Sequence, residues 1–151
     1  MRGLVAFLWG TVALTAATLS GVAADDTADK DLKHIQGVWR IESREVGGKK
    51  EPTEKSKDIT ITIDGDKVTV KLGDKVLMAG TQKLDSSKTP KAIDTTIVEG
   101  EHKGTVMLGI YEIDGETLKV CFDTEGKKRP TEFKTAEGTK LFLNVHKRVK
   151  K

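Results

Sequence analysis

A chain of 151 residues with a formal charge of +3 and one cysteine excludes several classes of protein at once. Its 26 Lys and Arg against 23 Asp and Glu make a well-solvated surface rather than a polyanion-binding one, so no nucleic-acid partner is expected. Cys121 has no second cysteine to pair with inside the chain, and the length suits a single domain whose core needs neither disulfide nor metal.

Met1-Arg2 gives a positive start, Leu4 to Leu19 is an apolar run, and the small residues Val22-Ala23-Ala24 precede Asp25-Asp26. That order predicts a signal peptide over 1–24, cleaved near Ala24, and export to the periplasm or beyond. The run is too short and interrupted for a spanning helix, so no integral membrane segment is expected after processing; an uncleaved anchor is the alternative. Residues 25–34 read as a polar leader ending in one or two helical turns around Leu32 and Ile35.

From residue 35 to 149 the pattern is that of one β domain. After Gly37 the hydrophobic period becomes two: Ile59, Ile61 and Ile63 alternate with Thr60 and Thr62, and Leu118, Val120 and Phe122 alternate with Lys119 and Cys121. Asp64-Gly65-Asp66 and Asp114-Gly115-Glu116 are tight hairpin connections. Strands are expected over 37–46, 57–64, 66–73, 75–84, 91–98, 104–113, 116–123 and 139–148, with a very short ninth through Thr131–Lys134 and no helix after Gly37. Consecutive hairpins favour an all-β, eight-stranded antiparallel up-and-down barrel over a sandwich, because closure removes exposed edges.

Gly37-Val38-Trp39, opening the first strand after a helical turn, resembles the G-x-W motif of lipocalins, and Arg148 stands where the lipocalin arginine packs over that tryptophan. Ile35-Gln36-Gly37-Val38-Trp39, then Gly109-Ile110-Tyr111 through Asp114-Gly115-Glu116-Thr117-Leu118 to Cys121, then Arg129-Pro130-Thr131-Glu132-Phe133, nearly reproduce a longer pattern. The chain is thus similar, over 35–148, to an uncharacterised lipocalin-like domain family abundant in planctomycete bacteria. The resemblance implies a lipocalin-like barrel and export, and it brings no activity with it.

Trp39 and Arg148 are expected to close the barrel floor by a cation–π contact, with Arg129 a competing partner for the ring. By alternation the interior collects Trp39, Ile41, Ser43, Ile59, Ile61, Ile63, Val68, Val70, Leu72, Met78, Gly80, Gln82, Ile93, Thr95, Ile97, Leu118, Val120, Phe122, Leu141, Leu143 and Val145, while strand 104–113 is apolar on both faces. Ile41, Ser43, Ile61, Val70, Met78, Gln82, Thr95, Val120, Phe122 and Leu143 are the candidate ligand contacts, with a polar handle near Ser43, Gln82 or Thr95. A barrel of this size either fills with side chains or holds one small ligand. Cys121 shares its parity with Lys119 and is expected outside, covered by 125–135. His34, His102 and His146 read as solvated, and neither metal nor cofactor is implied.

The function expected is therefore a monomeric, non-enzymatic exported protein binding a small apolar ligand. The alternative is a filled barrel acting as an interaction module through the 47–57 and 85–91 loops. No catalytic motif stands out, and a barrel-mouth site around Arg129, Tyr111 and Glu112 is the third possibility.

Overall fold

The computed structural model describes residues 22–150, with side chains from Asp26 onward. The expected signal peptide lies almost wholly outside the described residues. Helix α1, Val22–His34, has 13 residues, longer than the one or two turns expected. Its polar residues suit a helix lying over the end of a sheet. Just past its C-terminus Ile35, 1% exposed, plugs that end of the core.

Nine strands follow: β1 Gly37–Val46, β2 Lys49–Lys50, β3 Ile59–Asp64, β4 Lys67–Leu72, β5 Lys75–Asp85, β6 Ala92–Gly100, β7 Val106–Asp114, β8 Thr117–Asp123 and β9 Leu141–Arg148. β2 is a two-residue extension of the β1 edge. The other eight pair antiparallel in sequence order, and β9 returns to β1, giving a closed up-and-down barrel. Closure satisfies every strand edge within the ring, which is why a sequence of consecutive hairpins settles here.

Two expected elements are corrected. Thr131–Lys134 forms no strand, because the chain there crosses the outside of the barrel, and a single 3-10 turn, Thr53–Lys55, lies after Gly37 where no helix was expected. Alternating strand direction puts the 47–58, 73–74, 101–105 and 124–140 connections at one end, called the mouth. Helix α1 and the 65–66, 86–91 and 115–116 connections occupy the opposite, closed end. The 47–57 and 85–91 loops therefore cannot share one docking face.

Register decides which side chains enter the barrel. β1 carries a bulge between Ile41 and Ser43 in its pairing with β9, leaving Glu42 as the extra residue. A bulge reverses the alternation beyond it. Trp39 and Ile41 point in before it; Arg44, level with Asn144, points in after it, and Ser43 is turned out. On β9 the inward set is Phe142, Asn144 and His146, paired across from Phe122, Val120 and Leu118. Leu141, Leu143 and Val145, expected inside, face out. Leu72, also expected inside, ends its strand at the mouth with 43% of its surface exposed. On β7, Met107, Gly109 and Tyr111 face in, opposite Thr95, Phe122 and Val120 respectively.

Candidate functional site: the barrel lumen

The lumen holds a cavity of about 400 Å³ lined from the mouth down to Ile63, Val68 and Leu118, beside the closed-end hairpins. Its walls are aliphatic: Ile41, Ile59, Ile61, Ile63, Val68, Val70, Met78, Ile93, Met107, Leu118 and Val120, with Phe122 and Phe142 stacked at 5.5 Å between ring centroids. Eight of the ten expected ligand contacts line it, namely Ile41, Ile61, Val70, Met78, Gln82, Thr95, Val120 and Phe122. Ser43 and Leu143 do not, for the parity reasons above. Phe122 reaches its place because residue 109 is glycine: a Cβ at Gly109 would come within 2.5 Å of Phe122 Cδ1.

Polar groups interrupt this surface in two places. Asn144 and His146, 5% and 6% exposed, project from β9. Thr95, 1% exposed, and Gln82 face each other across the β5–β6 ladder. Asn144 Oδ1, both ring nitrogens of His146, Thr95 Oγ1 and Gln82 Oε1 are buried without any hydrogen-bond partner in the protein. A buried polar atom left unpaired costs on the order of 1–3 kcal/mol. Burial, reinforced by the nearby Arg44 charge, pushes the His146 imidazole down to about 4, so it is uncharged at neutral pH. His146 was expected on the solvated outer face; its inward position follows from the parity of β9.

At the mouth Arg44 is already engaged. Its Nε lies 3.2 Å from Glu51 Oε2 and its guanidinium sits 5.0 Å above the Phe142 ring. Lys55, Ser56, His102 and Thr124 complete the rim.

The closed end is built quite differently. Arg148 stacks on Trp39 at 4.3 Å from the ring centroid, its Nε is 2.7 Å from Glu116 Oε2, and its terminal nitrogens donate to the carbonyls of His34 and Gln36. A cation here also meets the negative end of α1. Trp39, wholly buried, donates its Nε1–H to Ile35 O at 2.8 Å. Gly37 sits at φ 116, which a side chain would strain, with Arg148 packed alongside. Arg129 takes no part in this stack.

Tyr111 faces inward above this floor and donates its hydroxyl to Asp31 Oδ2 at 2.7 Å, where Lys91 Nζ also binds at 2.8 Å. Burial first, and the Asp31 hydrogen bond second, raise the phenol well above its ordinary range. Glu112 points outward, across the β7–β8 ladder from Lys119. Arg129 lies on the outer wall, donating to the carbonyls of Gly109 (2.7 Å) and Ile93 (3.3 Å) and pairing with Asp94 at 2.6 Å. Tyr111, Glu112 and Arg129 thus look in different directions and form no common site.

Residues 124–140 strap the outside of β7–β9. Asp123, 7% exposed, anchors the strap by accepting from the backbone N–H groups of Glu125, Lys127 and Lys128. Burial alone would raise its carboxyl; those three donors outweigh it and hold the group below the ordinary range. Pro130 is buried, Phe133 lies 5.2 Å beneath Lys119 Nζ, and Cys121 contacts Lys134 O at 3.7 Å. Cys121 is wholly buried on the outer face, and that burial pushes its thiol up, away from the reactive thiolate.

Among the described residues no group of three or more His, Cys, Asp or Glu is arranged to hold a metal ion, and no helix is long and apolar enough to cross a membrane. Comparison with family models, curated proteins and solved structures found no match for the chain. Three functional candidates, Arg44, Asn144 and His146, escaped the sequence reading. The only signal for them is that Asn144 and His146 share a parity with Phe142, which leaves open which face is inside.

Proposed function

We propose that this chain is an exported, non-enzymatic binding protein, acting as a monomer, that holds one small and largely apolar ligand in the barrel. The observation that carries this reading is the aliphatic cavity of about 400 Å³, whose wall also includes the buried polar residues Thr95, Asn144 and His146. Its volume falls within the range of small-molecule sites, roughly 300–1,000 Å³, and such sites combine apolar walls with a few convergent polar groups. The tripartite pattern of residues 1–24 supports export, and the motifs around Trp39, Tyr111, Cys121 and Arg129 support kinship with the planctomycete lipocalin-like domains. Separation of Tyr111, Glu112 and Arg129 onto different faces supports a binding role over catalysis.

The test is titration of residues 25–151 with retinol, retinoic acid and a neutral polarity-sensitive dye such as Nile red. Saturable one-to-one binding that Val120→Trp abolishes, with an unchanged circular dichroism spectrum, is the expected result. No saturable signal with any of the three overturns the reading.

A further inference from the structure

We infer that the ligand is uncharged and two-ended: a compact apolar body carrying a hydrogen-bonding group at each of two opposite edges, one for Asn144 and His146 and one for Gln82 and Thr95. This rests on the binding role proposed above and names the ligand class for that same cavity.

The placement of the polar groups carries the inference. In the eight-strand ring β9 stands four strands from β5 and three from β6, so the two polar pairs sit on opposing walls of one cavity. Within each pair the groups act together. Asn144 and His146 are two residues apart on one face, about 7 Å along the strand. Gln82 and Thr95 are direct cross-strand partners. Between the pairs the lumen is lined by Ile, Val, Met and Phe side chains, which offer a ligand only apolar contact. A ligand with a single polar head satisfies one wall and leaves the other buried and unpaired, at the desolvation cost of those atoms.

Charge narrows the class further. Two cations line the cavity, both toward the mouth: Arg44, paired with Glu51 and stacked on Phe142, and Lys55 on the exposed rim. The His146 imidazole is neutral at physiological pH and offers one donor and one acceptor. An ionised carboxylate brought against Gln82 and Thr95 would find no cation among the lining residues of that wall and would keep its desolvation penalty, and beside Asn144 it would have to compete with Glu51 for Arg44. Hydroxyl, carbonyl and amide groups pair with both walls at no such cost.

A matched series tests this by calorimetry at pH 7 with the chain 25–151: 2,6-naphthalenediol, 2-naphthol and 2-naphthoate, whose bodies are the same. The diol is expected to bind about tenfold tighter than the mono-ol, one additional net hydrogen-bonded end, and 2-naphthoate weakest. Thr95→Val should bring the diol close to the mono-ol, and so should Asn144→Leu, while each leaves the mono-ol within about twofold because the intact wall still serves it. Both variants remove an unpaired buried group, so their unliganded melting temperatures should hold or rise, which separates lost pairing from lost folding. A diol no tighter than the mono-ol, or a naphthoate that matches it, overturns the two-ended neutral class while the cavity's binding role stands. Failure of all three compounds, in a protein that also binds none of the dye and retinoids, overturns the binding role itself.

Discussion

The two ends of the barrel interior contrast in how their polar groups are satisfied. At the closed end Trp39 Nε1, Tyr111 Oη, Asp31 and the Arg148 guanidinium each have partners, and the helix α1 carbonyls are drawn into the same network. Along the lumen above that floor, Thr95, Asn144, Gln82 and His146 carry atoms with no partner in the protein. Both regions are buried, so burial does not distinguish them. Complete pairing marks a structural knot, and the pairing left incomplete beside the cavity is what the proposed ligand would supply.

The most severe way to separate the two regions is Trp39→Ala, expected to cost about 3–5 kcal/mol, since it removes a wholly buried ring and its stack with Arg148. Urea denaturation reads this directly. A loss below about 1 kcal/mol would mean that the floor is not the knot described.

Acid should act on the other region. The unfolded chain protonates His146 near 6.5, whereas the folded imidazole is held to about 4. Protons therefore favour the unfolded state between those values: stability is full above about pH 6.5 and falls by about 3 kcal/mol as pH drops to 4. Asp123, whose carboxyl is likewise held below its ordinary value, contributes stability that is present above that value and lost only as pH falls lower still. Denaturation series from pH 7 to 4 should show the slope in the native chain and not in His146→Leu. An unchanged slope in that variant would place the imidazole in contact with solvent.

A smaller effect, about 1–3 kcal/mol, is expected from Arg148→Met, which keeps contact with Trp39 but strands the His34 and Gln36 carbonyls and frees Glu116. Nile red affinity should stay within about twofold, because this residue lies below the cavity. Smallest, and opposite in sign, is Thr95→Val, expected to stabilise the unliganded protein by up to about 1 kcal/mol by deleting a buried hydroxyl that pairs with no other group of the protein. A destabilisation of that size would show that Thr95 is already satisfied.

Period-two alternation, the Gly-containing hairpins and their short spacing were enough to derive the closed barrel, and every barrel strand lies within three residues of its expected bounds. The floor was legible too, since Gly37-Val38-Trp39 and Arg148 stand at the start of the first strand and the end of the last, which closure makes neighbours. Facing was not legible on β9. Leu141, Leu143 and Val145 are apolar because the outer wall there runs beside the 124–140 strap, with Leu143 beside buried Cys121. Two apolar environments on opposite sides of one strand make alternation mute about which is the core. The Glu42 bulge added a second reversal, turning Ser43 out and Arg44 in.

Local chemistry thus determined the strands, the turns and the order in which they close, because backbone pairing and side-chain period are properties of neighbours in sequence. Which wall each polar residue of the last strand joins depends on register across the seam and on a segment folded back over the outside. Those are relations between residues about a hundred positions apart, and only the assembled barrel settles them.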